Sequence, residues 1–149
     1  MEIDLNKRYQ TMITLWAALL MSVFLYFLVT VFAASQVSRD GNQPSTPLIF
    51  ALTAVGALFV IISFAVKRKL LQQSVDKQDV GLVQKAMIIA CALCEASALL
   101  GLVERFVVGG REYYLLFLLA GVGIALHFPR RSQLEAAQWR TIKSSTQIE

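Results

Sequence analysis

A chain of 149 residues with 56% hydrophobic and only 16% charged side chains carries too little polar surface for a soluble domain of its size. Its net charge of +4 is divided among short basic clusters with no aromatic stacking platform, which argues against a nucleic-acid partner. The mean hydropathy of +0.59 points instead to a membrane protein.

The first apolar block, Met12 to Ala34, contains no charge, glycine or proline. At about 1.5 Å per residue it reaches roughly 34 Å, against a hydrocarbon core of about 30 Å. Lys7 and Arg8 before it and Ala33-Ala34-Ser35 after it imitate a signal peptide, but a signal core runs to about 15 residues at most, so an uncleaved span near 12 to 34 fits better. Ser35 to Thr46, with Asp40-Gly41-Asn42 and Pro44, reads as a polar outer turn, and Pro47 suits the first turn of a second span over 47 to 66. Lys67 to Lys85 mixes charges with Leu70, Leu71, Val75, Val80 and Leu82, a pattern that extends the flanking helices along the inner surface. A third span follows at 84 to 107, with Glu104 and Arg105 marking its interface with water. Gly109-Gly110 punctuates the next outer turn, and the fourth and shortest span covers 113 to 128. Beyond Pro129, Ser132 and Glu135 have capping-box spacing, with Leu134, Ala137 and Trp139 available to an interface. The expected fold is all-α, an integral membrane four-helix bundle with short loops, forming a single transmembrane domain with a cytoplasmic tail at 129 to 149.

Orientation follows from Lys and Arg. Lys7, Arg8, Lys67, Arg68, Lys69, Lys77, Lys85, Arg130, Arg131, Arg140 and Lys143 fall before the first span, between the second and third, or after the fourth, whereas the other two loops hold Arg39, Arg105 and Arg111. The excess places both termini and the central loop in the cytoplasm of a plasma or inner membrane. Membrane lipid is the first partner, and Lys67-Arg68-Lys69 suits contact with anionic headgroups.

The third span carries the chemistry. Ala86, Ala90, Cys94, Ser97 and Gly101 recur at steps of four, four, three and four, one face of a helix along which another backbone can approach closely. Glu95 lies about 100° around the helix from Cys94, beside that stripe, and about 15 Å up from Lys85, near the expected midplane. A carboxylate at that depth is costly when ionised, so it is a functional candidate by default. Glu104, a further 13 Å or so outward, is expected at the interface.

The run from Met87 to Val103, with Cys94-Glu95-Ala96-Ser97-Ala98-Leu99-Leu100-Gly101-Leu102-Val103 at its centre, resembles the carboxylate-bearing helix of the rotary ATP synthase and ATPase proteolipid, the c subunit. In that family a small-residue helix carries one essential acid and is followed by a Gly-Leu-Val-like segment. The resemblance extends more loosely over residues 51 to 107, with Ala51 to Val66 as the partner helix, and implies that Glu95 is the ion-carrying carboxylate. The inner loop reads Val75-Asp76-Lys77-Gln78-Asp79 where the family has an Arg-Gln-Pro turn, and two further helices flank the hairpin.

Other chemistry has thinner support. Cys91 and Cys94 form a C-x-x-C inside a span, where positions three apart on a helix suit packing better than a strain-free disulfide. His127, beside Phe128-Pro129-Arg130-Arg131, reads as an interfacial histidine, and a lone His without clustered Cys, Asp or Glu makes no metal site. No phosphate loop, dinucleotide fingerprint, nucleophile elbow or H-E-x-x-H is present, so neither an enzyme nor a cofactor is expected. Two functions stay open. One is proton or monovalent-cation translocation, or an ion-linked subunit role, through Glu95 in a homo-oligomer or a larger membrane complex. The other is a non-catalytic scaffold or accessory subunit in which Glu95 is a structural hydrogen-bonding residue between helices.

Overall fold

The computed structural model describes residues 5–34, 46–110 and 112–137. Among these, all regular structure is helical: α1 (Leu5–Ala34), α2 (Thr46–Lys77), α3 (Val80–Val103), a π-helical turn at Glu104–Val108, α4 (Tyr113–Leu126) and α5 (Arg131–Ala136). Three helices, namely α1, α2 and α3 with its π-helical continuation, are long and apolar enough to cross a membrane. The apolar α4 has only 14 residues, a length of about 21 Å. The polar turn expected at Ser35 to Thr46 lies outside the described residues except for Thr46, which opens α2.

The charged stretch between the second and third spans is almost entirely helical. α2 runs on to Lys77, and Gln78, in the left-handed region at φ 50°, turns the chain. Asp79 then caps α3 by accepting the Gly81 amide at 2.8 Å. This tight turn lays α3 back along α2, and the two share the largest helix interface of the molecule.

α3 is the central helix. Of its most apolar stretch 44% is buried, against 11% for α1 and 17% for α2, because α1, α2 and α4 all pack on it. The outer faces are conversely rich in exposed apolar side chains, such as Phe32 at 71%, Phe50 at 68% and Leu118 at 66%. In water such a surface would drive aggregation, whereas in lipid it is the ordinary exterior of a helix bundle.

α1 joins α4 through the Trp16 indole, which donates to the Ile124 carbonyl at 2.8 Å, and through edge contacts of Trp16 with Phe128 and Phe27 with Phe117. The capping box expected at Ser132 and Glu135 does not form. α5 starts two residues too early for it, with Arg130 extended at the cap, so Ser132 lies inside the helix and Glu135 pairs with Arg131 at 3.1 Å. Leu134 and Ala137 are buried against the bundle, and Trp139 lies outside the described residues.

Candidate functional site: a carboxyl between two helices

Glu95 is half-buried on the flank of α3 that faces α1. Its Oε1 lies 2.5 Å from the Ser22 hydroxyl, and the Tyr26 phenol, one turn along α1, neighbours the same carboxyl. The Ser22 hydroxyl also lies 2.8 Å from the Leu19 carbonyl of its own helix. A serine hydroxyl has a single hydrogen, so it cannot donate to both acceptors at full strength. When Glu95 carries a proton, the carboxyl donates to Ser22 and Ser22 donates to Leu19. When Glu95 is ionised, Ser22 turns its hydrogen to the carboxylate and releases a carbonyl that is already engaged within α1. Both protonation states are therefore accommodated by rotating one hydroxyl.

The atoms gathered here are all oxygens, from a carboxyl, two hydroxyls and a backbone carbonyl. They suit a proton or a hard cation and do not suit a soft metal. Among the described residues there is no cluster of three or more His, Cys, Asp or Glu side chains.

The small residues of α3 lie on a different side from Glu95. Ala86, Ala90, Cys94, Ser97 and Gly101 are all buried, with α2 and α4 packed over the stretch from Cys94 to Gly101. Two glycines on the neighbouring helices make this approach possible. A Cβ on Gly56 would stand 2.8 Å from the Ser97 hydroxyl and overlap Leu116, and one on Gly123 would stand 2.8 Å from the Cys94 sulfur. The stripe is thus consumed within one chain.

Two groups expected near the membrane interface are enclosed by the bundle. His127, expected at the interface, is fully buried beneath Phe64, with a ring separation of 4.5 Å. Its Nδ1 contacts the Gly123 carbonyl at 2.6 Å and its Nε2 faces Ser63 at 3.3 Å, while Ser63 also meets Cys94. The Lys67 ammonium closes this inner cluster by donating to the His127 carbonyl at 3.2 Å. α4 ends at His127, whose amide turns back to the Ile124 and Ala125 carbonyls, two residues before Pro129. Cys91 and Cys94 are buried free thiols.

Glu104, also expected at the interface, is 0% exposed and more enclosed than Glu95. It stands three residues beyond Gly101 and so continues the small stripe into the α3–α4 turn. Arg105 points the other way, over the Tyr113 ring at 5.3 Å.

Sequence reasoning also missed Ser22 and Tyr26. Their signal was present, since Ser22, Tyr26 and Thr30 recur every four residues along the stretch after Thr14, which is otherwise apolar. An open groove of about 580 Å³ between α1 and α4 is lined by Met21, Phe24, Phe27, Phe117 and Leu118 among others, and offers no ionisable group except Tyr114. Comparison of the chain with protein-family models, with curated proteins and with solved structures finds no match.

Proposed function

We propose that this is an integral membrane protein of four spans, with both termini and the α2–α3 turn in the cytoplasm, in which Glu95 takes up and releases a proton or monovalent cation between α1 and α3. The observation that carries this reading is the shared hydroxyl of Ser22, which serves either protonation state of Glu95 without rearranging the backbone. The half-buried position gives the carboxyl an edge from which an ion or a partner group can reach it. Of what the proteolipid resemblance implies, only the ion-carrying acid is retained. The stripe that would line a subunit contact in such a ring is covered by α2 and α4 of the same chain. One acid in a small bundle seldom completes a path, so ion transfer involves a second copy or a membrane partner on the exposed flanks.

The same bond supports a second reading, a non-catalytic scaffold or accessory subunit. A 2.5 Å contact between α1 and α3 is a tether whether or not it ever titrates. Glu95→Gln separates the two, because the amide keeps the hydrogen bonding and cannot ionise. In reconstituted vesicles the ion-linked reading requires a proton or cation flux, or a pH-dependent change in the α1–α3 contact, that Glu95→Gln abolishes while assembly is retained. Unchanged flux in a correctly assembled variant would sink it. Absence of flux in the wild type together with loss of assembly in the variant would establish the tether.

A further inference from the structure

We propose that Glu104 is a second proton-binding site, independent of Glu95, and that its carboxyl latches the turn between α3 and α4 only while it carries a proton. The side chain is sealed from solvent, and among the described residues neither carboxyl oxygen makes a hydrogen bond of full geometry, although the Glu112 backbone amide faces the carboxyl. An enclosed carboxyl is served only by the groups that face it, and here the described surroundings offer the Glu112 amide and no cation.

The turn is built around this one residue. The π-helical segment begins at Glu104, whose carbonyl accepts the amides of both Gly109 and Gly110, the latter at 3.2 Å. Gly109 reaches its place at φ 75°, and Gly110 lies directly against the Glu104 side chain. A Cβ at Gly110 would stand 2.6 Å from Oε1 and 3.0 Å from Cγ, so the turn closes down on the carboxyl only because that position is glycine. Backbone and side chain of Glu104 thus hold the same lid, and single-turn π-helical insertions recur at such working positions.

The charged and titratable surroundings do not replace the proton. Glu112, before α4, adds a second negative charge, and Arg105 lies over the Tyr113 ring. From Thr46 to Val66 α2 has no ionisable side chain, and from Met12 to Ala34 α1 has only Tyr26. Glu95 is nine residues, roughly 13 Å, back along α3. Arg111 lies outside the described residues, and its pairing with Glu104 is the arrangement that overturns the proposal. Closing the turn takes up a proton, so the closed form is favoured at low pH and loses ground as pH rises through the ionisation of Glu104.

The test uses the full chain in lipid nanodiscs. Infrared difference spectra near neutral pH should show the C=O stretch of a protonated carboxyl that survives in Glu95→Gln and disappears in Glu104→Gln. Hydrogen exchange of the amides from Glu104 to Tyr113, compared between wild type and Glu104→Gln at each pH, cancels the intrinsic pH dependence of exchange. The two proteins should exchange alike at about pH 5, and the wild type should become about tenfold faster by about pH 9, since the amide stays neutral throughout. A ratio that stays flat, or absence of the Glu104 band as an Arg111 ion pair would produce, overturns the latch. Should Glu104→Gln fail to fold, the band in Glu95→Gln alone decides, because the remaining acids among the described residues are exposed.

Discussion

Ser22 shows how much can depend on a single hydrogen. Its hydroxyl lies between the Leu19 carbonyl and Glu95, so its removal takes a partner from the carboxyl and a tie from the α1–α3 contact. Ser22→Ala is expected to lower unfolding stability in detergent by about 0.6 to 2 kcal/mol, the range of interhelical hydrogen bonds in membranes. Because the two side chains touch, Ser22→Ala and Glu95→Gln should not add, and a double-mutant cycle that closes to zero would dissolve the pairing. The acid could be singled out from sequence because a charge interrupting an apolar run is visible by itself. Its partners could not, since which faces of α1 and α3 meet is decided by tertiary packing. The burial of Glu104 and His127 within the bundle was not legible for a related reason. A charge beside Arg105, or a His beside Pro129-Arg130-Arg131, has the local composition of an interface, and only the inward fold of the two turns buries them.

At the scale of the element, α3 is positioned by what its neighbours lack. Ala90 is 0% exposed whereas Ala92, two residues on, faces outward. Ala90→Leu is expected to overpack the interior and cost about 1 to 3 kcal/mol, while Ala92→Leu should leave the thermal midpoint in detergent nearly unchanged. Equal behaviour of the two would mean that the stripe does not carry the packing. The helices themselves were legible, because long uncharged runs of Leu, Val, Phe and Ala have few other structures open to them. Their joints were less so. The helical extension to Lys77 rests on a left-handed Gln78, a residue with no strong preference for that region, and the π-helical turn rests on two glycines that composition marks only as a turn. The failed capping box at Ser132 shows the same weakness, since helix starts move by one or two residues when the preceding chain demands it.

For the whole molecule, the proposed orientation predicts an asymmetric labelling pattern. With cysteine placed at exposed Glu112 or at Asn42, an impermeant maleimide should react from outside, and with cysteine at exposed Asp76 or at Ser144 it should not. Reaction at Asp76→Cys from outside would invert the topology and with it the side from which Glu95 is reached. The all-α class and the apolar exterior are common to both outcomes. A further consequence follows from the length of α4. Its roughly 21 Å stand beside an apolar run of roughly 34 Å in α1, so in the proposed four-span arrangement a bilayer of about 30 Å would be met by a tall side and a short side of the same protein. Lipids bordering α4 would then have to thin, or that helix be drawn out of register, at fractions of a kcal/mol per ångström of mismatch. Under the proposed four-span arrangement, lengthening the acyl chains would load the two ends of α4, one beside the Gly109-Gly110 turn and the other at His127, while leaving α1 at ease.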